Sequence, residues 1–321
     1  MLTDFAALLA DSLPLLVGSA FLLGLVVGSF LNVVIYRVPI MLDRAWRLQA
    51  ADLLQPTDEA RESAAAPLST AAPASAAAPS PAAAPFNLIS PRSACPACKT
   101  PIAAWRNVPV VSWLLLRGRC AACRAPIPIR YPIVELATGL LSAGVAWHFG
   151  PGPAAACALV VTWALLALTG IDIDHQLLPD GITLPLMWAG LLAAVLIGPV
   201  PGSALPVSPG DAVLGAAAGY LSLWLVYHAF RLITGKEGMG YGDFKLYAAL
   251  GAWLGWKLLP LIILLSAAAG AVVGITLILV RGRDRNIPIP FGPYLAAAGW
   301  IAMLYGNSLL QGYLRVAGLA R

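Results

Sequence analysis

Eight runs of apolar residues dominate this chain, at about 13–36, 131–149, 153–171, 182–200, 211–231, 244–256, 258–280 and 291–311. A helix needs roughly 20 apolar residues to cross a bilayer core of about 30 Å, and most of these runs have that length. Gly150-Pro-Gly-Pro153, Gly198-Pro-Val-Pro-Gly202 and the prolines between Pro288 and Pro293 punctuate them. The sixth run is short, and Lys257 marks an uncertain joint with the seventh. The pattern predicts an all-α polytopic membrane protein with about eight transmembrane helices. The first run is too long for a cleavable signal peptide and has no basic region before it, so it reads as a retained helix.

Composition agrees. The 321 residues are 60% hydrophobic and 11% charged, with a mean hydropathy of +0.81, whereas a soluble domain carries about 25% charged residues. The net charge of +5 does not point to nucleic acid, because the basic residues sit in loops between apolar runs. Eight crossings put both termini on one side. With the termini outside, 17 of the 20 lysines and arginines fall in the loops 37–130, 231–245 and 281–290, leaving Lys257, Arg315 and Arg321 outside. That bias assigns those loops to the cytosol. Three parts follow: a first helix (1–36), a cytosolic domain (37–130) and a membrane core (131–321). Residues 63–85 are almost entirely alanine, proline and serine, so they read as a flexible tether without a core of their own. Arg44 to Arg61 reads as an amphipathic surface helix.

Within the cytosolic loop, Cys95-Pro-Ala-Cys98 and Cys120-Ala-Ala-Cys123 form two CxxC pairs separated by 21 residues. Two such knuckles offer four thiolates to one tetrahedral ion, and zinc fits best, with iron as the main metal competitor. Disulfides are disfavoured in the reducing cytosol. Four thiolates leave no open position for a reacting water, so the expected zinc is structural. Cys157, in an apolar run, reads as packing.

Acidic residues next to the apolar runs are costly there and invite a functional reading. Asp172, Asp174 and Asp180 cluster after the third run, and Gly238-Met-Gly-Tyr-Gly-Asp243 precedes the sixth. Both clusters fall at the cytosolic membrane edge. A pair of adjacent carboxyls shares one proton, so it can act as base on a water and acid on a peptide. The bland readings are an N-cap for Asp243 and solvation or capping for Asp174 and Asp180. The residues alone do not separate Asp172 from Asp174. Asn32, Arg37 and Glu135 are further polar residues at helix ends, where interhelical bonding competes with ligand contact. His148 and His228 read as structural, and His175 fits a solvated helix end.

Seven ordered motifs, taken together, resemble the bacterial type IV prepilin leader peptidase/N-methyltransferase family. They are Gly28-Ser-Phe-Leu-Asn-Val-Val-Ile-Tyr-Arg37, Pro91-Arg-Ser-Ala-Cys95-Pro-Ala-Cys98, the stretch Asn107 to Cys120, Arg130-Tyr-Pro-Ile-Val-Glu135, Asp172 to Asp180, Gly240-Tyr-Gly-Asp243-Phe-Lys245 and Pro290-Phe-Gly-Pro-Tyr294. The resemblance implies Asp172 and Asp243 as the catalytic pair. It implies cleavage of a basic leader after a glycine, at the cytosolic face of the inner membrane, from prepilin or pseudopilin substrates. It further implies methylation of the new amino terminus with S-adenosyl-L-methionine, a step linked to Arg117-Gly-Arg-Cys120. No cofactor pocket is derivable from the residues, and the oligomeric state is not readable. The alternatives are a membrane aspartyl protease of the Gly-x-Gly-Asp type without methyl transfer, and a transporter or assembly scaffold.

Overall fold

The computed structural model describes residues 11–54, 86–103, 107–281, 289–316 and 318. The tract 63–85, the stretch 55–61 and the basic residues 283–285 lie outside the described residues. Every apolar run forms a helix. In chain order these are α1 (Leu13–Leu53), a short α2 (Val111–Leu115), α3 (Arg130–Phe149), α4 (Pro153–His175), α5 (Asp180–Leu196), α6 (Pro209–Thr234), α7 (Tyr241–Leu254), α8 (Leu259–Arg281) and α9 (Gly292–Val316). Among the described residues there are only isolated β-bridges and no strands.

Four of these helices are long and apolar enough to span a membrane on their own: Leu13–Leu53, Pro153–His175, Pro209–Thr234 and the stretch Trp256–Val280. Their outer faces carry exposed Leu22, Val26, Leu221, Leu225, Leu264 and Ile275, which suits lipid and not water. The chain is a polytopic membrane protein.

The first helix runs well past residue 36. Its 41 residues extend about 60 Å, twice a bilayer core. A helix satisfies its own backbone, so it need not stop where the apolar run stops. Arg37–Leu53 is rich in helix formers, and an Asp43–Arg47 pair at 2.9 Å braces the exposed part.

The short sixth run has the opposite explanation. The 14 residues of α7 cover only about 21 Å. Of Asp243 to Leu254, all but Lys245 are buried, so α7 is wrapped by neighbouring helices and needs no lipid-spanning length. A break at Gly255 and a single 3-10 turn, Trp256–Leu258, separate it from α8, which places the joint at Lys257. Helices α6 and α7 approach closely: a methyl group on Gly215 would lie 2.1 Å from the Gly251 carbonyl oxygen, so the two backbones touch.

One large core joins α3 through α9, with Val145, Leu168, Phe244, Leu250, Ile262 and Leu295 fully buried. A smaller cluster of Leu31, Val34 and Ala167 joins α1 to α4. Helix α4 therefore contributes to both cores, and its last turn carries Asp172.

Candidate functional site

Helix α4 ends at His175, and Gln176 turns into the left-handed region (φ 50°), its N–H donating to the Asp172 carbonyl at 2.9 Å. Asp172 and Asp174 are two positions apart, about 200° around a helix, so they face opposite ways. Asp172 turns inward and is 5% exposed. Asp174 turns outward and pairs with Arg130. The Asp172 carboxylate accepts the backbone N–H of Gly292 at 3.0 Å. Gly292 is the first residue of α9, and its N–H is one of the donors that a helix start leaves without an intrahelical partner.

Asp243 lies in the first turn of α7 and is 7% exposed. It is not the helix cap: that position is Gly240, and no side chain caps it. Leu178 packs against both Gly242 and Gly292, so the first turns of α7 and α9 flank one side chain. The geometry thus brings Asp172 and Asp243 together across that junction. Asp180, the remaining acidic candidate, opens α5 and is held by Lys245 Nζ at 2.6 and 2.7 Å.

Asn32, Arg37 and Glu135 do other work. Asn32 donates to the Tyr131 carbonyl at 3.1 Å and ties α1 to α3. Arg37 donates to the carbonyls of Asn87 and Pro91 at 2.7 and 2.6 Å, anchoring the cysteine lobe to α1. The Glu135 carboxylate accepts the Val110 N–H at 2.7 Å, where Val110 sits at φ 60°, a rare conformation for a β-branched residue. His148 packs on Phe149 and Tyr305, and His228 on Trp224 and Tyr227; His175 is exposed.

The four cysteines do converge. Each CxxC forms a turn closed by one antiparallel bridge, Ala94 with Pro101 and Arg119 with Pro126. The two turns repeat one hydrogen-bond pattern: Lys99 N–H to Cys95 O at 2.9 Å and Arg124 N–H to Cys120 O at 2.9 Å. The sulfurs of Cys95, Cys98, Cys120 and Cys123 lie within 4.8 Å of one another, with 3.8 Å between Cys95 and Cys123 and 4.0 Å between Cys98 and Cys120. Four sulfurs at about 2.3 Å from a tetrahedral zinc would stand about 3.8 Å apart, so the cluster can hold a metal ion of that kind. Hydrogen bonding to Thr100 lowers the Cys98 thiol to about 6. Cys123 moves the other way, to about 11: the Ala125 backbone would lower it, but the sulfurs of Cys98, Cys120 and Cys95 oppose that. Thiolates at this spacing repel, and a cation among them removes the conflict. Cys157 is buried in the α4 core, away from the cluster.

Arg117 to Cys120 forms the tight turn before the second knuckle, with Gly118 against the Trp113 ring and Ile127 N–H bonded to Gly118 O at 2.7 Å. Two cavities elsewhere, one of about 170 Å³ beside Asp211 and Lys257 and one of about 200 Å³ beside Tyr227 and Met239, are smaller than the ~300 Å³ at which ligand sites begin. Neither fits a nucleoside-sized methyl donor, and no residue is assigned to one.

Sequence reasoning left Gly292 and Arg130 without roles. Both appear in motifs, but their partners lie 120 and 44 residues away, and no local pattern reveals such contacts.

A bundle of apolar helices with two buried carboxyls meeting at helix ends defines the class: this is a membrane aspartic peptidase. The comparisons with known proteins narrow it. A model described as Bacterial Peptidase A24 N-terminal domain matches residues 22–149, and one described as Type IV leader peptidase family matches residues 159–275. Proteins called prepilin leader peptidase/N-methyltransferase are similar over nearly the whole chain. That of Aeromonas hydrophila is 53% identical over 95% of this chain and 97% of its own. That of Pseudomonas aeruginosa is 50% identical over 92% and 93%, and that of Legionella pneumophila 43% over 91% and 92%. No solved structure matches. The chain belongs to the type IV leader peptidase family.

Proposed function

We propose that this protein cleaves the basic leader from type IV prepilins or pseudopilins after a glycine, with Asp172 and Asp243 as the catalytic pair, and then methylates the new amino terminus. One observation carries the assignment: of the acids clustered at these helix ends, Asp172 and Asp243 are buried and lie at the helix ends that flank Leu178, while Asp174 and Asp180 are each held by a cation. In the resting pair one carboxyl is ionised and the other protonated. The ionised group takes a proton from water as the water attacks the scissile carbonyl carbon. The protonated group donates to the carbonyl oxygen, and the proton gained from water passes to the leaving amine. Gly292 N–H keeps one Asp172 oxygen oriented by its hydrogen bond.

The distribution of basic residues supports placing this edge and the cysteine lobe at the cytosolic face of the inner membrane. A leader rich in basic residues would meet the dyad there. Cys95, Cys98, Cys120 and Cys123 hold a structural zinc ion, which supplies no reacting water when all four thiolates bind it. Methylation is supported by the names of the relatives, and the methyl donor would be S-adenosyl-L-methionine. The test is the mass of a co-expressed prepilin: loss of the leader and gain of one methyl group, both absent with Asp172→Asn or Asp243→Asn. Cleavage without added methyl mass would leave a peptidase alone.

A further inference from the structure

Arg130 is the first residue of α3 and follows directly on the cysteine lobe. Its guanidinium reaches across to α4, where Nη1 pairs with the Asp174 carboxylate and Nη2 donates to the Gly170 carbonyl at 3.1 Å. These acceptors bracket Asp172, one two residues before it and one two residues after. The planar fork of an arginine presents two fixed N–H directions to the two acceptors, whereas a lysine ammonium is a point charge without that fixed geometry.

The turn so held is the last of α4, where a helix runs out of partners for its carbonyls and tends to fray. Arg130 grips it from outside, and Gly292 N–H holds the Asp172 carboxylate from inside. Arg130 is itself well anchored. Upstream, Trp113 Nε1 donates to the Ile127 carbonyl at 3.1 Å, and Ile127 N–H bonds to Gly118 O. Downstream, the Tyr131 carbonyl accepts from Asn32 at 3.1 Å. The guanidinium is half-exposed, and an ion pair of that kind contributes little to overall stability. Its placement around Asp172 is the more telling property.

We infer that Arg130 is a positioning residue for peptide cleavage: it fixes the terminal turn of α4 so that the Asp172 carboxyl meets Asp243, and it transmits the geometry of the cysteine lobe to that turn. This rests on the reading that Asp172 and Asp243 perform the cleavage.

The test is steady-state cleavage of a prepilin by the full chain in detergent micelles, with rates expressed per folded molecule. Arg130→Ala lowers kcat roughly 10- to 100-fold, the cost of a misplacement approaching 1 Å, and leaves KM within about twofold. Arg130→Lys recovers part of kcat, and Asp174→Asn costs less than Arg130→Ala because the Gly170 contact survives. An unchanged kcat in Arg130→Ala overturns the inference. So does a rise in KM alone, which would mean contact with the substrate. A loss of folded protein with normal kcat per folded molecule overturns it as well. Asp172→Asn and Asp243→Asn, run alongside, separate the two failures. If they cleave normally, the dyad reading falls whatever Arg130 does; if they are dead and Arg130→Ala is normal, only the positioning role falls.

Discussion

Replacing Gly292 with alanine adds one methyl group and removes no polar atom, yet its place beside Asp172 makes it a sharp probe of the dyad. The new Cβ would lie 2.6 Å from Asp172 Oδ2, 3.1 Å from its Cγ and 3.2 Å from Leu178 Cδ2, where ordinary contact begins near 3.4 Å. The shortfall at the oxygen is about 0.8 Å. The carboxyl must rotate away or the start of α9 must retreat, and either movement lengthens the 3.0 Å hydrogen bond from the residue 292 N–H. Displacing a reacting group by about 1 Å costs on the order of 100-fold in rate. Overpacking of this size costs about 1–3 kcal/mol of stability, within what a folded domain tolerates. Gly292→Ala is therefore expected to accumulate and fold while its initial rate of prepilin cleavage falls about 100-fold. Gly181→Ala, whose methyl group would meet nothing within 4 Å, is the matched control. Wild-type cleavage by Gly292→Ala would refute the reasoning, because the Asp172 carboxyl would not then need its present position.

The other expectations concern separate parts of the molecule. Cys98→Ser removes one of four thiolates, and mass spectrometry of the intact protein is expected to find less than stoichiometric zinc; a full complement would contradict a four-cysteine site. Gly215→Ala drives a methyl group into the Gly251 carbonyl, and thermal unfolding in detergent is expected to show a loss of at least about 1–3 kcal/mol, with an unaltered midpoint arguing against the α6–α7 contact. Asp180→Asn weakens an exposed ion pair to Lys245, and cleavage is expected to stay within about threefold of wild type, since such pairs contribute about 0–1 kcal/mol; complete inactivity would bring Asp180 into the chemistry.

Helix positions were legible because a bilayer imposes a length and a polarity that an apolar run must meet. Other constraints act where the bilayer does not. The end of α1 was not legible, since a self-satisfied helix continues past the membrane as long as its residues favour it. The short α7 reads as a crossing in the sequence because burial by neighbouring helices leaves the same apolar signature as lipid. The CxxC pairs were legible because their ligands are adjacent in sequence. Asp172 and Asp174 were not separable from the residues, since both lie in one helical turn. What distinguishes them is Gly292 on one side and Arg130 on the other, each brought in by the tertiary fold. Asn32, Arg37 and Glu135 were visible as polar residues at helix ends, but that they anchor the cysteine lobe and its adjoining helices required their backbone partners.

The central claim is that Asp172 and Asp243 together cut a prepilin leader. Mass spectrometry of a prepilin co-expressed with this protein, with Asp172→Asn and with Asp243→Asn tests it most directly. A leaderless pilin one methyl heavier at its amino terminus is expected with the unaltered protein, and an intact prepilin with either variant at equal protein levels. A processed pilin with either variant would contradict the dyad, and an uncut prepilin in all three would contradict the substrate class.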